Sequence, residues 1–204
     1  AAALIHGFAQ KGSKVIGMKP VAAGARLQDG QWLNEDVDQL IAASNVEAPL
    51  ALINPYVFES PVAPHIAAMQ SAVVMSIDKI KAASHELHRH ADMLVVEGAG
   101  GFLVPLNDDE DMADLALALG LPVILVVGMR LGCLNHTLLT VAAIEAKGLH
   151  LAGWVANGID PEMANFEENL ASLKQRINAP CLGVVPWSAT MDFRLAAEYI
   201  VLPE

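Results

Sequence analysis

The residues best suited to catalysis are a lysine and a glutamate that each follow a short apolar segment. Lys19 comes directly after residues 14–18 and precedes Pro20, whose ring restricts the backbone of the lysine. Glu97 comes directly after residues 93–96. A fixed ammonium stabilises charge on a phosphoryl group, and a carboxylate can hold Mg²⁺. Taken singly, each feature is at least as typical of a solvated lysine or an ordinary turn, so the choice between these readings depends on the other residues.

The residues after Glu97 are small enough for backbone amides to approach a phosphate. They are Gly98, Ala99, Gly100 and Gly101. Asp36 lies in the first turn of a predicted helix, where it is either a second oxygen ligand of Mg²⁺ or a carboxylate favoured by the helix dipole. A lysine, two acids and a glycine-rich loop together favour a nucleotide site with Mg²⁺.

Two further regions place polar residues where a ligand could bind. Asn135 lies near the start of a predicted helix, whose unpaired backbone amides suit a carboxylate group, although an asparagine there is more commonly a helix cap. Asn157 and the pair Pro186 and Trp187 each follow an apolar segment. They are either ordinary loop residues or the wall of an adenine pocket.

The apolar segments before these residues predict buried strands, at 14–18, 93–96, 123–127, 151–156 and 181–185. Helical patterns lie between them, at 34–44, 76–90, 112–119, 134–147 and 162–177. This alternation predicts an α/β fold with a mostly parallel sheet and ligands at the carboxyl ends of its strands. The segment 47–65, with its four prolines, is predicted to be irregular but ordered.

Composition limits the possible classes of protein. The 204 residues fit one domain, 1–204, and 54% of them are hydrophobic. A net charge of −11 disfavours nucleic acid as a partner. Cys133 and Cys181 form no CxxC motif, which indicates reduced thiols and a cytoplasmic protein, and no apolar run is long enough to span a membrane.

An ordered set of motifs resembles the dethiobiotin synthetase family across essentially the whole chain. The motifs are KPVAAG at 19–24, NED at 34–36, NPYVF at 54–58, SPVAPH at 60–65, VVEGAGG at 95–101, LPVILVVG at 121–128, LGCLNH at 131–136, LAGWVANG at 151–158 and VPW at 185–187. The resemblance implies a three-layer P-loop NTPase-like fold with helices on both faces of the sheet. It also implies a homodimer that makes dethiobiotin from 7,8-diaminopelargonate, CO₂ and ATP with Mg²⁺.

The resemblance also implies roles for individual residues. Lys19 matches the catalytic and substrate-binding lysine, and Asp36 and Glu97 match ligands of Mg²⁺ and nucleotide. The other nucleotide contacts would be Gly98, Ala99, Gly100, Asn157, Gly158, Pro186, Trp187 and Ser188. The substrate carboxylate would be received across the dimer interface by Gly132, Cys133, Leu134 and Asn135.

Three departures from the family pattern stand out. No GxxxxGK[ST] loop is present, and residues 1–10 look helical without a cap, so we expect about twenty further residues with a strand and that loop to come first. Without this central strand, two buried sheet edges would be exposed. Ala23 replaces a common serine, and the usual ribose-side acid is missing, with Asp192 as its only candidate substitute.

Two other classes of protein stay open at this point. One is a different P-loop ATPase or ligase of the same fold, which would not need the GCLNH segment at 132–136. The other is a dimeric nucleotide- and dicarboxylate-binding module without catalysis.

Overall fold

The chain folds into two compact units, Ala1–Leu119 and Gly120–Glu204, and the computed structural model describes residues 1–203. Both units contain parallel strands with helices between them, as the alternating apolar and amphipathic segments predict. The boundary between the two units lies directly after the predicted helix at 112–119. The expectation of one domain over 1–204 stays a prediction.

The first unit contains the following elements in chain order: α1 Ala2–Gln10, β1 Val15–Met18, β2 Val21–Ala22, β3 Arg26–Gln28, β4 Gln31–Leu33, α2 Glu35–Ala43, α3 Leu50–Ile53, β5 Tyr56–Val57, α4 Pro64–Gln70, α5 Ile77–His88, β6 Met93–Val96 and α6 Met112–Leu119. Strands β1 and β6 are parallel, and Met18 lies opposite Val96 where both end. The residues that follow the two strands therefore leave the sheet side by side.

Close packing of two helices on β1 depends on a glycine. A Cβ at Gly17 would lie 2.6 Å from Cδ1 of Ile5 in α1 and 2.9 Å from Cβ of Leu40 in α2. Ile5 and Leu40 are fully buried, so a larger residue at position 17 would push these helices off the strand. Helices α1 and α2 are thereby held next to the end of β1.

The segment 47–65 is ordered, as expected, but it contains α3, β5 and the start of α4. The prediction of an irregular segment is wrong here because β5 pairs in parallel with β2. In that ladder Tyr56 N donates to Pro20 O at 3.1 Å and Phe58 N donates to Ala22 O at 2.8 Å. Such long-range hydrogen bonds order a short segment that has no periodic pattern of its own.

Strands β3 and β4 form an antiparallel hairpin between the end of β2 and α2. Asp29 and Gly30 make its turn, with positive φ angles of 51° and 78°. Asp-Gly is a preferred pair for this kind of two-residue turn. The hairpin was not predicted.

The second unit contains β7 Val123–Met129, α7 Cys133–Ala146, β8 Leu151–Gly158, α8 Phe166–Arg176, β9 Cys181–Val185 and α9 Phe193–Ala197. Its three strands form a parallel sheet in the order β7-β8-β9. Trp154 is fully buried in a core that includes Met129, Leu173 and Ile177. All three strands end toward one edge, because parallel neighbours share a direction.

Helix α8 is shorter than the predicted helix at 162–177. It starts at Phe166 because Asn165 adopts a left-handed conformation, with φ of 55°. Glu162 N also donates to the side chain of Asp160, which closes a turn before the helix. The acidic and apolar pattern extends into this turn, so periodicity alone cannot find the boundary.

Strands β6 and β7 each pair with a single neighbour among residues 1–203. β6 pairs with β1, and β7 pairs with β8. Val126 in the middle of β7 is 53% exposed. No helix within the described part of the chain has the length and apolar character needed to cross a bilayer.

Candidate active site

The backbone of Lys19 is held from both sides by the segment between α3 and β5. Its N–H donates to Ile53 O at 2.9 Å, and its carbonyl accepts from Nδ2 of Asn54 at 2.6 Å. Asn54 is buried and also donates to Tyr56 O. These bonds fix the lysine where β1 ends, which is the position predicted from the apolar segment before it.

The ammonium of Lys19 is enclosed by two carboxylates and a carbonyl. Nζ lies 2.7 Å from Oδ2 of Asp36 and 2.7 Å from Oε1 of Glu97. It also donates to the carbonyl of Gly98 at 3.1 Å. We call this group the Lys19 clasp. Lys19 is only 5% exposed, so the ammonium is buried, whereas the side chain of Asp36 is 55% exposed.

Two opposing effects act on the pKa of Lys19. Burial by itself lowers the pKa of Lys19, but hydrogen bonds and charge attraction from Asp36 and Glu97 outweigh it and raise the pKa. The lysine is therefore an ammonium at neutral pH. With two carboxylates around one ammonium, the clasp has a net charge of −1 and is suited to attract a further cation.

Glu97 is placed by the pairing of the two strands. Its N–H donates to Met18 O at 2.8 Å, which continues the β1–β6 ladder by one residue. The carboxylate of Glu97 therefore leaves the sheet beside Lys19, whose Nζ lies 2.7 Å from Oε1 of the glutamate.

The loop after Glu97 favours glycine at position 100 and has little space for a side chain at position 98. A Cβ at Gly98 would lie 3.1 Å from Cε of Met112. Gly100 has a φ of 75°, and a Cβ there would lie 3.0 Å from Val104. The small residues therefore have a structural reason, in addition to the space they leave for a ligand.

Asp36 is the second residue of α2 and not its cap. The cap is Asn34, whose side chain accepts from Val37 N at 3.3 Å and donates to Ala23 O at 3.3 Å. The helix start is thus tied to the loop after β2. The side chain of Asp36 is 55% exposed, so it can still accept a ligand from solvent.

The donor set of the clasp fits Mg²⁺. This ion prefers oxygen ligands and commonly uses one or two carboxylates, completing its shell with waters and substrate phosphates. Oδ2 of Asp36 and Oε1 of Glu97 face the same point, since both lie 2.7 Å from one nitrogen. Within residues 1–203, no group of three or more His, Cys, Asp or Glu side chains is arranged to hold a metal ion.

The predicted carboxylate-binding residues lie at the start of α7 in the second unit. Gly132 is the residue before the helix and has a φ of 93°, a conformation that favours glycine. Cys133 is buried and its thiol is free, whereas Leu134 is half-buried. Asn135 is exposed and follows two residues inside the helix, so the alternative in which it caps α7 is wrong.

The predicted nucleotide residues of the second unit lie where β8 and β9 end. Asn157 pairs with Val185 in the sheet. A Cβ at Gly158 would lie 2.7 Å from Trp187 N and 3.1 Å from Val185 O, so the residues after β9 pass directly over this glycine. The structure therefore brings Asn157 and Gly158 together with Pro186 and Trp187.

The residues beyond Trp187 belong to a polar turn before α9. Oγ of Ser188 lies 3.3 Å from the hydroxyl of Thr190. Asp192, considered above as a ribose-side acid, caps α9 by accepting from Leu195 N at 2.8 Å. This cap is a sufficient structural reason for an acid at position 192. The indole of Trp187 is half exposed, which leaves one side open for stacking.

Asn54 is the main site residue that the sequence alone did not single out. It fixes the Lys19 carbonyl from a segment predicted to be irregular. A possible signal was an asparagine before a proline at the end of an apolar stretch, inside the NPYVF motif. That signal identifies a turn but not its partner.

Comparison with known proteins places the chain in a family. A family model described as an AAA domain matches residues 1–194. The chain is 55% identical over 203 residues to the ATP-dependent dethiobiotin synthetase BioD of Aromatoleum aromaticum, covering 100% of this chain and 90% of that protein. It is 54% identical over 192 residues to the protein of the same name from Nitrosospira multiformis, covering 94% and 83%.

Solved structures of low sequence identity share the fold. The MinC:MinD cell division protein complex of Aquifex aeolicus gives a TM-score of 0.53 at 17% identity, covering 96% of this chain and 80% of that one. The cell division ATPase MinD of Pyrococcus furiosus gives 0.50 at 16% identity, covering 97% and 89%. The α/β, P-loop NTPase-like fold class is thereby confirmed. With relatives this similar over nearly the whole chain, the chain belongs to the ATP-dependent dethiobiotin synthetase family.

Proposed function

We propose that this chain closes the ureido ring of dethiobiotin from 7,8-diaminopelargonate and CO₂, using ATP and Mg²⁺. The Lys19 clasp is the observation that carries this proposal. It places a buried ammonium between two carboxylates and beside a glycine-rich loop. Phosphoryl transfer needs charge stabilisation and positioning more than it needs a nucleophilic side chain, and the clasp offers both.

The reaction proceeds in three steps that balance in atoms and charge. An uncharged amine of the substrate attacks CO₂ and loses a proton, which gives a carbamate. A carbamate oxygen then attacks the γ-phosphorus of ATP, and ADP leaves. The second amine, also uncharged, attacks the carbonyl carbon of the resulting mixed anhydride and loses a proton to solvent, and inorganic phosphate leaves as the ring closes.

Lys19 acts in the second step. Its ammonium is held at the end of β1, where it stabilises negative charge on the transferring phosphoryl group and on the carbamate. Asp36 and Glu97 are the residues that would hold Mg²⁺, which when bound neutralises charge on the phosphates. Backbone amides of Gly98, Ala99 and Gly100, in the loop directly after Glu97, would bind phosphate oxygens.

The second unit supplies the remaining binding residues. Asn157, Gly158, Pro186, Trp187 and Ser188 would bind the nucleotide. The half-exposed indole of Trp187 offers a stacking surface for a base, and Asn157 offers amide donors and acceptors. The backbone amides at the start of α7, together with Gly132, Cys133, Leu134 and Asn135, would receive the substrate carboxylate.

We further propose a cytoplasmic homodimer in which the start of α7 serves the partner's site. Two observations support a subunit contact near this helix. Leu131 is 93% exposed just before α7, and Leu139 is 63% exposed on it. Ala142 and Ala146 continue an exposed apolar stripe at helical spacing from Leu139. The free thiols of Cys133 and Cys181 agree with a reducing compartment.

ADP release tests the proposed reaction. The protein expressed from its complete reading frame is assayed with Mg²⁺, ATP and bicarbonate, with and without 7,8-diaminopelargonate. We expect ADP release to depend strongly on the diamine. ADP release at the same rate with and without the diamine would identify a different ATPase. No ADP release in either case would identify a binding module without catalysis.

A further inference from the structure

The ammonium of Lys19 uses the same carboxylate oxygens that a divalent cation would need. It contacts one oxygen of Asp36 and one of Glu97, each at 2.7 Å. We propose that Lys19 is a resident cation that competes with Mg²⁺ for these carboxylates, so that the metal enters only as the lysine leaves. This inference depends on the proposed function for its metal.

The hydrogen-bond capacity of Lys19 supports competition. An ammonium has three N–H donors, and Lys19 donates to Glu97 and to the carbonyl of Gly98 while it forms an ion pair with Asp36. The lysine thus has three close partners. A turn of the ammonium toward a phosphate or a carbamate would weaken its contacts with them.

Repulsion adds to the loss of hydrogen bonds. A divalent cation bound by both carboxylates would lie within a few ångströms of the ammonium, in a site where Lys19 is only 5% exposed. Charge repulsion is screened less around a buried ammonium than between two exposed ions. A divalent cation on both carboxylates therefore repels the ammonium and favours its turning away.

The two carboxylates differ in accessibility, which indicates how the exchange starts. The side chain of Asp36 is 55% exposed and that of Glu97 is 32% exposed. Glu97 is also fixed by the bond from its N–H to Met18 O. A metal ion from solvent thus meets Asp36 first, and the Asp36 contact of the lysine is the first to be released.

The exchange would couple metal binding to the presence of nucleotide. Without nucleotide, the released ammonium loses its partners, so Mg²⁺ binds weakly. With nucleotide, phosphate oxygens accept from Lys19 while Mg²⁺ takes the carboxylates. The clasp would thereby keep the metal out until the nucleotide arrives, and would deliver the lysine to the phosphates at that moment.

Mn²⁺ binding in the absence of nucleotide tests the competition directly. Free Mn²⁺ is measured by electron paramagnetic resonance, and Mg²⁺ is added as a competitor to show that both ions use one site. We expect Lys19→Met to bind Mn²⁺ at least tenfold more tightly than the unchanged protein. Lys19→Arg, which keeps the charge, should bind Mn²⁺ as weakly as the unchanged protein.

Lys79→Met is the matched control. Lys79 lies in the same unit, but it donates to Pro55 O and lies over the ring of Tyr56. Its replacement removes one positive charge without touching the clasp, so Mn²⁺ affinity should change less than twofold. An equal gain in both methionine variants, or no gain in Lys19→Met, would overturn the proposal.

A labelling experiment on the unchanged protein does not depend on any variant folding. Lysines are acylated with a water-soluble reagent, with MgCl₂ or with NaCl at equal ionic strength, and each site is quantified by mass spectrometry. We expect MgCl₂ at high concentration to increase labelling of Lys19 at least threefold and to leave Lys79 unchanged. An equal extent of Lys19 labelling in MgCl₂ and in NaCl would count against the proposal.

These outcomes are separate from the outcome of the ADP assay. If Lys19 is displaced by metal but ADP release ignores the diamine, the competition stands and the proposed reaction fails. If diamine-dependent release is found but neither Mn²⁺ affinity nor labelling responds, the reaction stands and the competition is refuted.

Discussion

The two units of the chain present their candidate residues in different ways. In the first unit the candidates are charged side chains that already contact one another, with Lys19 bound to Asp36 and Glu97. In the second unit they are mostly backbone groups and small or neutral residues, such as Gly132, Gly158 and Asn157. The candidate residues of the first unit are thus charged, and those of the second unit are mostly neutral.

The difference indicates a division of labour. We propose that the charges around Lys19 act on the reacting groups, because electrostatic effects are stronger around a buried ammonium than in bulk water. Backbone amides and glycines would act on the groups that must be held. Substitutions in the first unit should therefore lower kcat, whereas substitutions in the second should raise KM. Each prediction below tests one side of this comparison.

The largest effect is expected for Lys19→Ala. Loss of one preorganised charge at a transferring group typically lowers kcat by a factor of 10²–10³. We expect kcat to fall at least 100-fold while KM for ATP changes less than about threefold, measured as diamine-dependent ADP release. Lys79→Ala, outside the clasp, should retain nearly full activity. A change in KM alone would place Lys19 among the binding residues and would remove the contrast between the units.

The next effect is expected for Gly158→Ala. The new Cβ would lie 2.7 Å from Trp187 N and would displace the backbone after β9. We expect KM for ATP to rise about tenfold, with kcat changed less. Gly128→Ala is the control in the same unit, because its Cβ meets only the flexible end of Ile159. Equal effects of the two substitutions would indicate general damage to the sheet.

The sequence predicted the core of each unit better than the connections between its elements. The apolar segments predicted β6 and β9 with their observed bounds, and the common direction of parallel strands brought Lys19 and Glu97 together. These features follow from burial, which leaves a periodic pattern in the sequence. Asp36 was predicted in the first turn of a helix as a second ligand of Mg²⁺ beside Glu97, but its contact with Lys19 was not predicted.

The parts that could not be predicted depend on single long-range contacts. The β2–β5 pairing rests on bonds such as Phe58 N to Ala22 O, and neither residue reveals its partner. The same holds for the bond from Asn54 to Lys19 O. The sequence could not decide whether Asn135 caps α7, because asparagine is common at several positions near a helix start. The structure decides it, since the residue before the helix is Gly132.

A moderate effect is expected for Asn135→Ala in the second unit. Because Asn135 is exposed and does not cap α7, its loss should leave the melting temperature within about 1 °C of the unchanged protein. We expect KM for 7,8-diaminopelargonate to rise about three- to tenfold at nearly constant kcat. Glu145→Ala, exposed near the other end of α7, should change neither quantity. An effect confined to the melting temperature would contradict the assignment to substrate binding.

The smallest effect concerns pH. The pKa of Lys19 is raised in the folded protein, so its contribution to stability is fully present below the pKa of an unfolded lysine, about 10.4, and is lost as pH rises through the folded value. We therefore expect the difference in free energy of unfolding between the unchanged protein and Lys19→Met to stay constant from pH 6 to pH 9. Urea unfolding measures this difference, which should shrink only above about pH 10.4.

Comparison with Lys79→Met makes this last test specific. Lys79 lies outside the clasp, and subtracting the two series removes groups that titrate equally in all variants. A difference that shrank between pH 6 and pH 9 would mean that Lys19 sheds its proton near neutrality and that burial outweighs its two carboxylates. Lys19 could then serve as a base, and the first unit would no longer be the one that acts through fixed charge.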